Sequence, residues 1–442
     1  MRQFHLAVFL ALLTSLTVTA AELPKRVPNL PTMVEADGRL RFDFTEEKVV
    51  LDGGLQPFML GMKSGVFLVQ AQLPKNPYPS KRIAFPRLLG AVVSRDGGEI
   101  WTPIPLKSGD NGVNIEGGIV QLRDGTILAL DTYITPGKRP GEAFGQLYTS
   151  NDEWRTVEGP KDVHFRLPGA IYPSKDDGGR PHEAQRLHRR ILELPNGDLL
   201  TTCYGWLKGD ATPSTYEPRM IRTRSLLLRS MDRGQNWRLV STIAVNPKVG
   251  TEGFGEPVLV RLSKGPHPGR LLCYMRTGRE LYECRSDDEG VTWSQPKPRV
   301  FANIAVNRTE LWVDMFRNVQ GRKALLDENN PDELRGSVVD PDVIELRSGL
   351  LVLAFGVRVP QQACWKDPRH PWNGNYLAVS RDHGETWPNV IRMTSGVLTT
   401  HYMAIEETLT DNRLFVVYDL RESGTKTRRD IFGRFVTLTV KP

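Results

Sequence analysis

Short apolar stretches separated by turn residues recur along the whole chain. Six of them end in a turn, most often of the form Leu-x-Asp/Asn/Ser-Gly, at residues 62–65, 122–125, 194–197, 262–264, 346–349 and 409–412. A second apolar stretch follows each turn directly. Short apolar runs bounded by Gly, Asn and Asp are typical of β-strands joined by tight turns. The pattern predicts an all-β protein built from six similar groups of strands.

A second repeated feature is the motif Ser-x-Asp-x-Gly-x-x-Trp. It occurs at residues 94–101, 230–237, 286–293 and 380–387, and residues 150–154 keep its Ser and Asp but not its Gly. Asp can accept hydrogen bonds from nearby backbone N–H groups, Gly permits a conformation that a Cβ disfavours, and Trp anchors the next strand. We therefore expect these Asp residues to stabilise turns rather than to take part in catalysis.

Repeated Asp boxes of this form resemble those of the sialidase (neuraminidase) superfamily, and they extend over nearly the whole chain. The resemblance implies a six-bladed β-propeller with four-stranded antiparallel blades at residues 39–442, after a linker at residues 22–38. It also implies that an N-terminal strand at residues 39–44 completes the last blade by pairing with residues 431–440.

The N-terminus has the features of a secretory signal peptide over residues 1–21. Arg2 precedes an apolar run at residues 6–13, and small residues extend to Ala21. That run is too short to span a bilayer, and no later stretch is long and apolar enough to do so. These features predict a secreted or periplasmic protein without a membrane span.

The chain is basic, with a formal charge of +7 that becomes +6 when residues 1–20 and their single Arg are removed. A basic protein favours an anionic partner. Because no nucleic-acid-binding module is recognisable, we expect an acidic glycan rather than DNA or RNA.

Four cysteines are too few for a disulfide scaffold. Cys273 and Cys284 are expected to face each other across a hairpin, at a separation that allows either two thiols or a disulfide.

Equivalent positions on the first strand of each group are expected to converge on one channel, at the end where the longer loops lie. These positions, six residues before the Leu or Met of each turn, are Gln56, Glu116, His188, Glu256, Asp340 and Met403. Four of the six are ionisable. Carboxylates and a His in one cleft perturb one another's pKa, which is typical of an acid/base site.

The resemblance to sialidases implies roles for several residues. Those enzymes use a Tyr nucleophile activated by a Glu, an Asp acid/base, and three Arg that bind the substrate carboxylate. Glu256 resembles the family's Glu, while Arg276 and Arg358 resemble its second and third Arg. Tyr402 resembles the nucleophile, although it lies one place from the counted position, and its neighbour His401 is a further candidate for contact with substrate.

Two parts of the family's catalytic set are absent. Gln56 occupies the position of the first Arg, and the loop at residues 73–87, where the acid Asp is expected, contains no Asp or Glu. The proton donor is therefore sought among Glu116, His188 and Asp340. A neutral His beside carboxylates suits acid/base chemistry near neutral pH.

Three functions are compatible with these residues. The first is a sialidase-like, exo-acting glycoside hydrolase acting on a sialic- or uronic-acid-containing glycan. The second is a uronate-directed polysaccharide lyase, in which a His/Tyr pair abstracts the proton beside an Arg-bound carboxylate and the product absorbs in the ultraviolet. The third is a non-catalytic glycan-binding propeller, which forms no product. No metal-ligand spacing and no phosphate-binding Gly loop are present, so neither a metal nor a cofactor is expected.

Overall fold

The computed structural model describes residues 29–74, 88–106, 109–173, 184–215, 220–307, 335–361, 364, 368, 370–421 and 429–441. The predicted signal peptide lies outside these residues. The described residues form strands, turns and loops with no helix among them, and so they include no helix that could cross a membrane. The prediction of an all-β protein is confirmed.

The strands follow one another at short intervals along the chain. The first ten are β1 (Thr32–Glu35), β2 (Leu40–Phe44), β3 (Lys48–Leu51), β4 (Leu55–Gly61), β5 (Phe67–Leu73), β6 (Leu88–Ser94), β7 (Thr102–Ile104), β8 (Ile119–Gln121), β9 (Ile127–Leu130) and β10 (Tyr133–Pro136). The next ten are β11 (Glu142–Ser150), β12 (Glu158–Arg166), β13 (Ala170–Ile171), β14 (Gln185–Glu193), β15 (Leu199–Leu207), β16 (Arg224–Ser230), β17 (Asn236–Ala244), β18 (Gly255–Arg261), β19 (Leu271–Arg276) and β20 (Leu281–Ser286). The last are β21 (Lys297–Arg299), β22 (Ser337–Glu345), β23 (Leu351–Arg358), β24 (Gly374–Ser380), β25 (Asn389–Arg392), β26 (Met403–Glu407), β27 (Arg413–Arg421) and β28 (Arg429–Val440).

Six groups of four strands, which we call units 1 to 6, make up most of the fold. They are β4-β5-β6-β7, β8-β9-β11-β12, β14-β15-β16-β17, β18-β19-β20-β21, β22-β23-β24-β25 and β26-β27-β28-β2. Strands within each unit are antiparallel. Each unit begins with the strand that was predicted to end in a turn, and the predicted second strand follows that turn. This part of the prediction is confirmed.

Units 2 and 3 differ from the expected separate four-stranded blades because they share one ten-stranded sheet. Their outer strands β12 and β17 pair in parallel, with Phe165 opposite Trp237. Both strands are nine residues long, whereas the outer strands β7 and β21 have three residues each. The last three residues of β12 pair with the first three of β17, so the two units meet at their outer edges.

The two ends of the chain meet in unit 6. As predicted, the N-terminal strand β2 pairs antiparallel with β28, from Leu40 opposite Val440 to Phe44 opposite Val436. The stretch expected to be a linker contains β1, which pairs with β25 and extends unit 5 to five strands. Both segments hold the N-terminal part of the chain against the last two units.

Buried apolar side chains join each unit to the next. The clusters lie between units 1 and 2, 2 and 3, 3 and 4, 4 and 5, and 5 and 6. A further cluster joins unit 6 to unit 1, where the Phe67 and Phe415 rings lie 5.6 Å apart. Backbone N–H groups of several turns also donate to a side chain of the next unit, as Arg123 does to Glu193 at 2.7 Å.

The four Ser-x-Asp-x-Gly-x-x-Trp motifs and the incomplete copy at residues 150–154 form the same turn. In the third complete motif, Asp288 accepts hydrogen bonds from the Thr292 backbone N–H (2.9 Å) and hydroxyl (2.6 Å), and Gly290 N–H donates to the Ser286 hydroxyl at 2.8 Å. In the incomplete copy, Trp154 occupies the glycine position with φ 64° and donates to Ser150. As predicted, the Asp of each copy accepts hydrogen bonds from backbone N–H groups of its own turn.

All four cysteines are free thiols in this structure. Cys273 lies directly opposite Cys284 on β19 and β20, as the hairpin predicted. Both are buried in the core between units 3 and 4, and burial raises the pKa of each thiol. These thiols therefore act as apolar core groups.

Candidate active site

Four of the first strands carry a β-bulge close to the predicted channel positions. The bulges interrupt the register in β4, β14, β18 and β22. Each contains a residue with positive φ: Gln56 (53°), Arg189 (65°), Glu256 (44°) and Asp340 (50°). Bulges change the direction in which a side chain points, and such backbone conformations of non-glycine residues cluster at functional sites.

Glu256 is the centre of the site. Its Oε1 accepts hydrogen bonds from the Tyr402 hydroxyl at 2.5 Å and from Arg276 Nη1 at 2.7 Å. Its Oε2 accepts the backbone N–H of Asp340 at 3.2 Å. Three units thus deliver groups to one carboxylate.

The charges around Glu256 keep it ionised. Burial alone would raise its pKa, but the positive charge of Arg276 and the hydrogen bond from Tyr402 outweigh that effect and lower the pKa of Glu256 to about 2. Burial and the charge of Glu256 hold the pKa of Tyr402 well above its usual value. The pair therefore consists of a neutral phenol that donates to a carboxylate.

Arg276, the last residue of β19, is held by two carboxylates. Besides its bond to Glu256, its Nη2 donates to Glu252 Oε1 at 2.9 Å. The side-chain amide of Gln361 donates from Nε2 to the same Glu252 oxygen at 2.6 Å, and its Oε1 accepts from Arg279 Nη1 at 3.1 Å. This chain of contacts orients the Arg276 guanidinium beside Glu256.

Arg358 lies close to the Tyr402 ring. Its guanidinium carbon lies 5.7 Å from the centre of the Tyr402 ring, and its Nη2 donates to the Thr400 carbonyl at 2.8 Å. Tyr402 directly precedes β26, and its neighbour His401 has φ 66°. This turned backbone explains how Tyr402, rather than Met403, reaches the site.

Asp340, whose backbone N–H contacts Glu256, is fully buried. Its Oδ2 pairs with Arg189 Nη2 and accepts the Met403 backbone N–H at 3.1 Å. Burial raises the pKa of Asp340 to about 7, and the charge of Glu256 acts in the same direction against the opposing effect of Arg189. Two neighbouring carboxyl groups therefore have pKa values moved apart, as is common where one is a base and the other holds a proton.

His188 is buried next to Asp340, with its Nε2 3.7 Å from Asp340 Oδ1. Its Nδ1 lies 3.3 Å from the Pro257 carbonyl, and the rings of Phe58 and Tyr204 meet it edge-on. Burial and the charge of Arg189 lower the pKa of His188 to about 3. The imidazole is thus neutral, as we expected, but at 1% exposure it is closed to solvent.

The remaining predicted residues lie around this group. Gln56 accepts a hydrogen bond from Gln72. Glu116 is half-buried, and its backbone carbonyl accepts the Arg189 N–H at 2.7 Å. His401 is buried, and burial followed by the charges of Arg358 and Arg429 holds its pKa well below the usual value.

Arg189, Glu252 and Gln361 were missed by the sequence reasoning. The bulge in β14 leaves three residues between paired Leu187 and Ile191, where the other three bulges leave two. The extra residue moves Arg189, instead of His188, into the position of Glu256 and Asp340. The signal in the sequence that could have identified Arg189 is its place directly after the counted position, His188.

The described residues contain no group of three His, Cys, Asp or Glu side chains that could hold a metal ion. The available groups are instead a phenol, carboxyl groups and guanidinium groups. Such a set can provide a nucleophile, proton transfer and anion binding.

No protein-family model and no curated protein matches the chain. Among solved structures, a protein of unknown function from Dyadobacter fermentans is similar over 91% of this chain and 100% of its own, with 18% identity and a TM-score of 0.56. NanB sialidase from Streptococcus pneumoniae is similar over 89% of this chain and 70% of its own, with 12% identity and a TM-score of 0.48. An α-L-arabinofuranosidase from Fusarium graminearum is similar over 89% and 98%, with 12% identity and a TM-score of 0.33. The first of these similarities shows a shared fold.

Proposed function

We propose that this protein is an exported, sialidase-like glycoside hydrolase that removes a terminal acidic sugar, of the sialic- or uronic-acid type, from a glycan. The observation that carries this proposal is the 2.5 Å hydrogen bond from the Tyr402 hydroxyl to Glu256. A buried phenol that donates to an ionised carboxylate is suited to act as an activated nucleophile. The apolar run at residues 6–13 and the small residues up to Ala21 support export. The positive net charge supports an anionic substrate.

The fold proposed for this function is a six-bladed β-propeller, with units 1 to 6 as its blades. Support comes from the apolar contacts that connect each unit to the next and unit 6 to unit 1. In a propeller the first strands line a central channel. Arg276 and Arg358 end the second strands of units 4 and 5, which would bring them to one mouth of that channel.

The proposed reaction begins when Glu256 Oε1 accepts the phenolic proton of Tyr402. The phenolate oxygen then forms a bond to the anomeric carbon as the bond from that carbon to the leaving oxygen breaks. Water later displaces Tyr402: the phenolate oxygen regains its proton from Glu256, and the proton lost by the water goes to the general acid that had protonated the leaving oxygen. Arg276 and Arg358 would bind the substrate carboxylate, because guanidinium groups match its two oxygens.

Of the three proton-donor candidates, Glu116 fits best. A general acid must come within hydrogen-bond distance of the leaving oxygen. Asp340 and His188 are 0% and 1% exposed, whereas Glu116 is half-buried. We therefore assign protonation of the leaving group to Glu116 and regard Asp340 as a neighbour that sets the charge balance around Glu256.

The proposal is tested by incubating the protein with glycans that end in sialic or uronic acid and with matched neutral glycans. Mass spectrometry should detect a released acidic monosaccharide, with one water molecule added across the cleaved glycosidic bond. Products that absorb in the ultraviolet would instead indicate a lyase, and binding without product would indicate a glycan-binding protein.

The role of Glu116 is tested with two leaving groups. Glu116→Gln should lose most of its activity on a natural glycan but retain it on an aryl glycoside, whose good leaving group needs little protonation. Equal losses on both substrates would reject Glu116 as the acid.

A further inference from the structure

A groove outside the candidate active site lies where units 2 and 3 meet. It has a volume of about 1040 Å³ and is formed by the outer strands β12 and β17 with β11, β16 and the loop before β11. None of its lining residues belongs to the group around Glu256. A volume of this size can hold several sugar units or a small ligand.

Three arginines lie side by side across this groove. Arg166 on β12 is opposite Arg238 on β17, and Arg238 is in turn opposite Arg229 on β16. Neighbouring strands are about 4.8 Å apart, so the three positions form a ladder on one face of the sheet. Like charges placed directly opposite each other destabilise a sheet. A ladder of this kind therefore favours a bound anion.

Within the part of the chain that the structure describes, ion pairs neutralise only one side of this ladder. Arg229 forms ion pairs with Asp198 at 2.6 Å and Glu289 at 3.1 Å. Arg238 makes only a 3.6 Å contact with the Met231 sulfur, and within the described ranges neither it nor Arg166 forms an ion pair. Both are exposed.

The same face also offers a surface for a sugar ring. His164 and Asn236 are opposite each other two residues before the Arg166 and Arg238 pair and are exposed. His164 packs against the Phe144 ring, with centroids 4.9 Å apart. Beneath them, Phe165 and Trp237 are stacked in the core and keep the two strands together.

We propose that this groove binds an acidic polysaccharide, with anionic groups on nearby sugars pairing with Arg166 and Arg238. Arginine binds carboxylate and sulfate oxygens through two parallel hydrogen bonds. The groove would hold a polymer on the enzyme away from the reacting end. Binding here does not depend on the reaction proposed for Glu256 and Tyr402.

The test measures binding to polygalacturonate, which carries carboxylates, to dextran sulfate and to neutral dextran by affinity electrophoresis. The wild-type protein should bind one or both acidic polymers and not dextran, and binding should weaken as salt rises. Arg166→Ala/Arg238→Ala should raise the dissociation constant about tenfold, as expected for the loss of two exposed charge contacts. Arg166→Lys/Arg238→Lys should weaken binding less because it keeps the charge.

A matched control is Arg39→Ala/Arg41→Ala, which removes two exposed arginines from the N-terminal edge of the fold. If this control weakens binding as much as the groove variant, net charge and not the groove is responsible, and the proposal fails. Binding to neutral dextran would also overturn it, and so would tighter binding of a single-stranded oligonucleotide. Because the readout is binding, a protein without hydrolase activity would still give the expected result.

Discussion

Tyr402 and Glu256 are 146 residues apart in the chain, yet their side chains share a 2.5 Å hydrogen bond. The ionised state of Glu256 depends on Arg276, and the protonated state of Tyr402 depends on burial beside Glu256. The chemistry of the pair is therefore a property of its surroundings. Single substitutions test each part separately.

Glu256→Gln and Tyr402→Phe should each lower kcat by about 10²- to 10⁴-fold, since they remove the base and the nucleophile. KM should change little, because neither group is the main anion ligand. Steady-state kinetics checks this. Tyr418→Phe is the matched control, because it removes another buried Tyr–Glu hydrogen bond, to Glu47, outside the site. Unchanged turnover in Glu256→Gln would remove that residue from the mechanism.

Arg276→Ala should weaken substrate binding by roughly 2–5 kcal/mol, the range for truncation of a buried charged hydrogen-bond partner. Arg276→Lys should recover little, since an ammonium group cannot make a two-pronged contact. Binding and thermal unfolding are measured on the same variants. A lower melting temperature with unchanged binding would mean that Arg276 only neutralises Glu252 and Glu256.

Asp340 should make stability depend on pH. Its pKa is raised in the folded state to about 7 from an ordinary value of 3.8, so the folded protein binds the proton more tightly than the unfolded chain. The resulting stabilisation is complete below about pH 4 and is lost as pH rises through about 7. The free energy of unfolding of wild type relative to Asp340→Asn should therefore fall between pH 4 and pH 8.

Denaturant titrations at several pH values measure this difference. Glu406→Gln provides a comparison, because burial raises the pKa of Glu406 to about 7 as well, against the opposing charge of Arg190. The double variant Asp340→Asn/Glu406→Gln should lose both contributions to the pH dependence of the free energy of unfolding. A constant difference between wild type and Asp340→Asn would show that Asp340 is ionised throughout, paired with Arg189.

At the scale of elements, the Ser-x-Asp-x-Gly-x-x-Trp turn is a local unit. Among the described residues, the Asp288 carboxylate forms hydrogen bonds only within its own turn, with Ser286 and Thr292. Asp288→Ala should lower the free energy of unfolding by about 1–2 kcal/mol, comparable to the loss of a helix cap or a charged hydrogen bond, without changing kcat. Thermal and denaturant unfolding measure the loss.

The adjacent residue supplies the control for that measurement. Asp287 is also exposed, but its carboxylate pairs with Arg270 on the surface. Exposed ion pairs contribute about 1 kcal/mol or less, so Asp287→Ala should be the milder change. If the two variants were equally destabilised, the hydrogen bonds within the turn would not be what stabilises it.

At the scale of the whole molecule, the chain ends stabilise each other. Leu40 on β2 is buried in the cluster between units 5 and 6, whereas Leu30 is 81% exposed. Leu40→Ala should cost about 2–5 kcal/mol, and Leu30→Ala should stay within about 0.5 kcal/mol. Denaturant unfolding compares them. A small cost at Leu40 would indicate that β2 contributes little to holding the chain ends together.

Much of the fold could be predicted because its signals are local. The turns after the first strands, the repeated motif and the pairing of β2 with β28 follow from the order of residues or from family resemblance. The merging of units 2 and 3 was not predicted, because it depends on how closely the outer strands of the two units approach each other in space.

The candidate site could be predicted in part. Glu256, Asp340 and Gln56 lie at bulges that a constant count from the turn locates, and each precedes a proline. The same count selected His188 in place of Arg189, because the bulge in β14 is one residue longer. A count along the chain cannot detect such a bulge, since it is defined by the partner strand.

By itself the sequence determined which segments become strands and where the turns lie, since hydrophobic alternation and turn residues act over a few neighbours. Only the tertiary structure decided which residues meet at Glu256 and which arginines line up on β12, β16 and β17. Those contacts bring together residues that are far apart in the chain. Burial and nearby charges, which exist only after folding, then determine which of these groups are ionised.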